Sequence, residues 1–303
     1  MSALLLALAL DLLVGDPPNR FHPVAWTGRL LAWGRGSART SRPSWLVLSG
    51  GGALAGALTL VVVVAAAASW GAGRLGWPGL LLEAALLKCA ISLRGLVSAA
   101  RDVAVALELG RLEEARRRVG RQLVSRPAGT LSASQVASAT VESLAENLTD
   151  SMVAPLFFFL LGGLPAAWAY RVVNTADAMW GYRQGDFEYF GKPAARLDDV
   201  LNWIPARLAA LAIVLGAGAV REAGGRAWKT MWSEHALTMS PNAGWTMAAM
   251  AGALGVTLEK PGAYRLGSGD LPTVGAIGRA LRVMVGASGF AAAASLAVAA
   301  LRR

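Results

Sequence analysis

The chain alternates long apolar runs with polar blocks. From Trp45 to Trp70 it reads WLVLSGGGALAGALTLVVVVAAAASW, with no charge and an indole at each end. About 20 apolar residues cross a bilayer as a helix, and Trp favours the headgroup layer, so this run predicts a transmembrane helix. The first run, MSALLLALALDLLVG, is shorter and has no basic leader; it predicts a short buried or half-inserted helix rather than a cleaved signal. LLLEAALLKCAISLRGLVSAA, from Leu80, has helical period but carries Glu83, Lys88 and Arg94. A charge facing lipid at a helix centre costs about 2.5–3.5 kcal/mol, so this segment is expected to span with those residues turned to protein. MVAPLFFFLLGGLPAAWAYRVV is long enough to cross, yet Gly162, Gly163 and Pro165 interrupt it. That pattern predicts a broken or re-entrant helix. WIPARLAALAIVLGAGAV and Leu281–Leu301 complete the apolar set. The expectation is an all-α, polytopic integral membrane protein with about four or five spans, forming one membrane domain over 1–303.

Polar segments, expected to face the cytoplasm, lie near 16–44, 101–150, 174–202 and 221–280. In RLEEARRRVGRQLVSR, Glu113 and Arg117, and Glu114 and Arg118, stand at helical i,i+4 spacing. Pro127 and Gly129 end that helix, and Ser132–Gln135 form a capping-box pattern that starts the next. Composition sharpens the class: 55% of residues are hydrophobic, only 16% are charged and mean hydropathy is +0.46, too apolar for an ordinary soluble domain. The formal net charge of +10 comes from basic residues placed between apolar runs, with no aromatic-basic nucleic-acid motif. Cytoplasmic loop bias and anionic lipid account for it, and no nucleic-acid partner is expected. The single Cys89 excludes an intramolecular disulfide and reads as a packing residue.

Chemistry concentrates in two blocks. Glu142, Glu146 and Asp150 are spaced four apart, hence about 5–6 Å from one another on a helix. Two ionised carboxylates at that separation repel by about 3 kcal/mol at an effective dielectric near 20. Either water solvates this face, or a proton, a basic side chain or a divalent cation neutralises it. The second block holds Asn174, Asp177, Asp198, Asp199 and Asn202, with Arg183, Lys192, Arg196 and Arg207 interleaved. Carboxylate and amide oxygens suit Mg²⁺, and arginines suit phosphates; interhelical salt bridges would use the same residues. The chain has neither Cys/His zinc spacing nor a Gly-rich loop ending in Lys-Ser/Thr, so zinc-finger and P-loop readings are excluded.

The stretches DLLVGDPPNRFHPVAWTGRL, VESLAENLTDSMVAPLFF, NTADAMWGYR…FGKPAARLDDVLNWIPARL and SPNAGWTMAAMAGALGV resemble the adenosylcobinamide-phosphate synthase family of cobalamin biosynthesis, in order and over nearly the whole chain. The resemblance implies an inner-membrane, multi-pass enzyme whose active site faces the cytoplasm. It would use ATP and Mg²⁺ to join the free carboxyl of adenosylcobyric acid to the amine of (R)-1-aminopropan-2-ol O-phosphate, through an acyl phosphate. Glu142, Glu146, Asp177 and Asp198 are then the candidate catalytic acids. Glu142, Glu146, Asp150, Asp198 and Asp199 are the candidate metal ligands. Arg183, Arg196, Arg207, Asn147 and Asn174 are candidates for the nucleotide. Asp16, His22, Asn242 and Lys260 are candidates for the substrates, although turn chemistry or anionic lipid would explain several of them. Because ATP is cytoplasmic, both acid blocks are expected to face one cytoplasmic cavity, with the Gly-Gly-x-Pro break returning the chain. Association with other cobalamin-pathway enzymes would explain the membrane location. Two departures stand out: Arg126-Pro127 falls where the family carries Arg-Asp, and His235 lies five residues before Ser240 rather than just before Ser-Pro-Asn. The alternative class, a transporter or channel, shares the broken helices and membrane-edge acids but lacks an inverted repeat here.

Overall fold

The computed structural model describes residues 1–36, 42–124 and 127–302. In chain order the elements are α1 (Ser2–Leu13), α2 (Pro23–Gly36), α3 (Pro43–Ala72), α4 (Trp77–Ala90), α5 (Leu93–Glu108), α6 (Leu112–Gln122), α7 (Ala133–Leu148), α8 (Ala154–Trp180), α9 (Phe187–Phe190), α10 (Lys192–Leu201), α11 (Trp203–Ala219), α12 (Gly224–Glu234), α13 (Ala243–Leu254), strands β1 (Leu258–Lys260) and β2 (Tyr264–Leu266), and α14 (Val274–Leu301). A π-helical turn, Thr149–Val153, joins α7 to α8, and a 3₁₀ turn, His235–Leu237, follows α12. The fold is all-α apart from the small antiparallel β1–β2 hairpin, which the apolar pattern did not foretell.

Among the described residues three helical stretches are long and apolar enough to cross a membrane: α3, the run Ala133–Trp180 and α14. The bent pair α10–α11 makes up to four. These stretches make the chain a multi-pass membrane protein. The span expected from Leu80 is corrected: the helix stops at Ala90, Ile91 turns to extended backbone and α5 begins at Leu93. Fourteen residues of α4 cover about 21 Å, short of the roughly 30 Å hydrocarbon core. The supposed polar block 221–280 is also corrected, because α13 within it is buried from Gly244 to Leu254. Its twelve residues suit a core helix rather than a span.

The trace divides into two compact units, each built from separate stretches. The first contains residues 1–92, 154–201 and the chain from Ser295 on. Its centre is α3, which starts with Pro43 in its first turn, where the missing N–H costs nothing. Leu46 and Leu54 of α3 pack with Leu31, Val172, Val173, Trp180 and Phe190. Gly50 lets the Phe190 carbonyl lie against the α3 backbone, a space that a Cβ would occupy.

Within α8 the backbone leaves helical geometry at Gly162 (φ −144°, ψ 25°) and Gly163 (φ 66°, ψ −156°). Along a continuous helix, Phe158 and Tyr170 would stand about 18 Å apart. Their rings instead stack with centroids 5.2 Å apart and planes at 14°. The chain therefore doubles back at the Gly-Gly pair, which bears out the expected break.

The second unit contains residues 93–153 and 202–294. Here α7 and α13 are almost wholly buried. The Ser132–Gln135 capping box forms as expected, with both reciprocal hydrogen bonds present. Glu114 pairs with Arg118 at 2.7 Å, whereas Glu113 reaches Arg116 rather than Arg117. Helices α11 and α14 cross where Gly216 meets the backbone of Val283 and Ala287, a small-residue contact of the kind that lets membrane helices approach closely.

The dihedrals of Gly163 are essentially open only to glycine, and a side chain there costs about 1–3 kcal/mol. Gly163→Ala should therefore lower unfolding stability in detergent by that amount, whereas Gly56→Ala, where an added Cβ meets open space, should not.

Candidate active site

The first unit carries a basic pocket of about 220 Å³. Arg183, Lys192, Arg196, Glu188 and Asp199 line it, together with the rings of Tyr182 and Phe187. Glycines shape this corner: Gly185 has φ 54°, and Gly191 sits against the Trp180 carbonyl, where a Cβ would collide. Trp180 and Phe190 meet edge-to-face at 4.9 Å beneath it. Arg35 of α2 holds the loop from outside, 3.2 Å from Asp186 and with its guanidinium 5.0 Å from the centre of the Phe190 ring. Arg196 lies 3.8 Å from Asp199 across one turn of α10. Beside the pocket, Asn174 Nδ2 donates to Asp198 at 3.4 Å and Asn174 Oδ1 accepts from Arg171 at 3.1 Å. Asp177 sits one turn after Asn174, and its carbonyl accepts the Gly181 N–H at 2.7 Å.

A second cluster in this unit surrounds Lys88, whose side chain is only 6% exposed. Lys88 bonds Asp16 and lies 3.6 Å from Asp11. Asp16 also accepts from Ser92, and His22 Nε2 stands 3.6 Å away. The Val24 N–H donates to His22 Nδ1 at 3.2 Å, which assigns the neutral ring's proton to Nε2, facing Asp16. Burial pushes the Asp16 carboxyl up, but the hydrogen bonds from His22, Lys88 and Ser92, with the Lys88 charge, outweigh it and hold the group well below the usual carboxylate range. Asp16 and His22, both candidates for the substrates, are thus neighbours. Lys88, Asp11 and Ser92 were missed as members; the available signal was a lysine inside an apolar helix.

In the second unit Glu142 is buried, and it accepts from Ser138 Oγ at 2.7 Å and from Tyr264 OH at 2.8 Å. Ser138 Oγ in turn accepts the Glu259 N–H at 2.7 Å, so α7 and the hairpin are pinned together at Glu142. Glu146 is exposed. Asn147 donates to the Ser143 carbonyl at 2.9 Å. Asp150 lies in the π-helical turn, a feature frequent at functional sites, and accepts from the buried Asn202 at 3.3 Å. Lys260 is exposed at the end of β1. Asn242 is buried at the start of α13 and accepts from Arg207 at 3.3 Å.

The acid block at 142–150 therefore belongs to one unit and Asp177, Asp198 and Asp199 to the other. Of the three candidate phosphate arginines, Arg183 and Arg196 share the basic pocket, while Arg207 belongs to the second unit. Among the described residues no three His, Cys, Asp or Glu are gathered closely enough to hold a metal by themselves. Arg126 lies outside the described residues.

A membrane-embedded helical protein with a cation-lined pocket is the class these features define. The CobD/Cbib protein family model matches residues 4–287, and the chain belongs to that family. It is 43% identical over 269 residues to a cobalamin biosynthesis protein CobD of Dehalococcoides mccartyi, covering 88% of this chain and 87% of the relative. It is 41% identical to a CobD of Klebsiella pneumoniae, covering 85% and 82%, and 37% identical to a cobalamin biosynthesis protein CbiB of Salmonella typhi, covering 92% and 88%. No solved structure matches the chain.

Removing one partner of a buried ion pair costs about 3–5 kcal/mol. Asp16→Ala should approach the lower end of that range, because Asp16 keeps 28% side-chain exposure and Asp11 still faces Lys88, and Lys88→Met, which strands both carboxylates, should cost more than Asp16→Ala. Because the folded carboxyl lies below its unfolded value, its contribution is full above the ordinary carboxylate range near pH 4 and fades as pH falls toward the lowered value. Melting temperatures of wild type and Asp16→Ala, measured from neutral pH down into acid, should converge.

Proposed function

We propose that the chain is an ATP-dependent acid–amine ligase that joins adenosylcobyric acid to (R)-1-aminopropan-2-ol O-phosphate, giving adenosylcobinamide phosphate. The observation that carries this reading is the pocket lined by Arg183, Lys192, Arg196 and Asp199 in a member of the CobD/CbiB family whose relatives are named for cobalamin biosynthesis. Its volume falls below the roughly 300–1,000 Å³ of pockets that enclose a drug-sized ligand. It suits a phosphate chain, with Tyr182 and Phe187 at hand for the base.

The chemistry needs those groups. A carboxylate does not acylate an amine, because oxide is a poor leaving group. When a substrate carboxylate oxygen attacks the γ-phosphorus of ATP, the bond to the β-phosphate oxygen breaks and ADP leaves. The amine nitrogen then attacks the acyl carbon, the C–O bond to phosphate breaks, and an amide and inorganic phosphate remain. Positioning and charge neutralisation dominate such phosphoryl transfer. Arg183, Lys192 and Arg196 are assigned to the phosphate oxygens, and Asp177 to the proton that the ammonium loses before attack. Mg²⁺ bound with a nucleotide needs only one or two protein carboxylates; Asp198 and Asp199 fit that demand, and the ion would neutralise phosphate charge.

Orientation follows from the flanks of α3. Residues 20–42 carry Arg20, Arg29, Arg35, Arg39 and Arg42, against Arg74 alone between Gly73 and Gly79. The positive-inside rule then assigns the N-terminal end of α3 to the cytoplasm. The pocket loop packs against that end through Gly50 and Arg35, which supports a cytoplasmic nucleotide site.

Purified protein given adenosylcobyric acid, the amine phosphate and Mg-ATP should form the amide with one ADP per turnover; no amide in an active preparation would refute the proposal. A charge-assisted hydrogen bond contributes about 1.5–3 kcal/mol, so Arg183→Ala and Arg196→Ala should each raise KM for ATP about 10- to 100-fold. KM for the amine should be unchanged in both variants.

A further inference from the structure

The first unit holds a groove of about 400 Å³ that shares no residue with the basic pocket. Trp26 and Leu30 of α2, Val61 and Ala65 of α3, and Leu164 and Trp168 of α8 form its sides, and Leu86 of α4 closes it. The α8 wall comes from the arm that follows the Gly162–Gly163 break. No charged side chain is among the lining residues. The Thr27 hydroxyl donates to the Pro23 carbonyl at 3.1 Å and the Trp26 indole N–H to the Arg20 carbonyl at 2.9 Å, so both donors are already spent within the chain. A polar ligand would lose its water here and gain no hydrogen bonds in return. The lining therefore admits a hydrocarbon and excludes a nucleotide or a phosphate ester along its length.

Depth identifies the hydrocarbon. The groove follows α3 from Leu60 to Ala68, about 12 Å of helix rise. Trp70 comes two residues later, at the headgroup layer that indoles favour, and the Arg74 guanidinium lies 3.2 Å from the centre of its ring. Trp45 marks the opposite layer, so the middle of the anchored run falls between Ala57 and Leu58. The groove thus lies wholly within the acyl layer of one leaflet, the one on the Trp70 side. Leu60, Val63 and Val64 are exposed beside it, so it opens sideways and is continuous with the lipid-facing surface of the span. Lipid meets it there at the concentration of a solvent. A second copy of the chain fits less well. Helices associate in a bilayer through small residues and interhelical hydrogen bonds, whereas the lip of the groove carries the branched side chains of Leu60 and Val64.

We propose that this groove is a site for one phospholipid acyl chain, held apart from the bulk bilayer as a structural component of the first unit. Helix α2 has fourteen residues and covers about 21 Å, too short to line a span throughout. The groove lies where its first two turns stand off α3 and the returning arm of α8. A chain seated there meets protein on several sides, where a chain against a plain helix meets it on one, and the two indoles add broad apolar surface. The site selects the chain and leaves the head group at the level of Trp70 and Arg74. The inference stands independently of the ligase reading.

The test uses the full chain in nanodiscs of dioleoyl phosphatidylcholine. Native mass spectrometry after gentle release should show one phospholipid retained per chain. A phosphatidylcholine carrying a diazirine midway along one acyl chain should, on illumination, label Trp26, Leu30 and Ala68 about tenfold more than Val285 and Phe290, which are exposed on α14. Ala68→Phe and Val64→Trp, each adding a ring at a lining position, should lower retention and labelling about tenfold. Val63→Trp, at an exposed position outside the lining, should leave both unchanged. Matched melting temperatures in the nanodiscs exclude misfolding, and Val64→Trp carries the test if Ala68→Phe fails to fold. Retention that persists in the ring variants overturns the proposal, as does equal labelling of the groove and α14. Groove labelling that disappears as the chain becomes dimeric at high protein-to-lipid ratio assigns the groove to a second copy and overturns it too.

Discussion

Neither lipid nor packed protein supplies water to an unpaired charge or an open backbone group, and this constraint shapes the departures from a plain apolar helix in this protein. Lys88 sits in an apolar helix because Asp16 and Asp11 reach it there. The backbone can leave helical geometry at Gly162 and Gly163 because the two arms close on each other through Phe158 and Tyr170. In both places a polar or irregular element is tolerated where protein replaces solvent. Glu142, inside α7, obeys the same rule through Ser138 and Tyr264.

What could be read in the sequence was local. The apolar run of α3, the Ser132–Gln135 cap and the Gly-Gly-x-Pro break each depend on residues within a turn or two, and each forms where expected. The misses are tertiary. Lys88 was visible as an anomaly, but its partner Asp16 lies 72 positions away. Helix α13 looks, in one dimension, like part of a polar block; its burial comes from α12, α11 and α7, which no short-range period reports. Glu113 had two arginines within helical reach, and it meets Arg116, which the distant Leu131 carbonyl holds in place.

The candidate site shows the same division. Acidic and basic residues in the right numbers were evident, and their sorting was not. Arg183 and Arg196 line a pocket formed by glycine-dependent turns, where they remain exposed. Arg207 has the same charge but is held by two rings and an amide.

The contact between Gly50 and the Phe190 carbonyl ties the pocket loop to the backbone of a long membrane helix rather than to a mobile side chain. Helices longer than the local hydrocarbon layer tilt to fit it. At thirty residues α3 exceeds the minimum by several turns, so its inclination answers to bilayer thickness. Phe190, whose carbonyl rests on the α3 backbone at Gly50, shares that helix's frame, so the loop that shapes the pocket is carried on the membrane span itself.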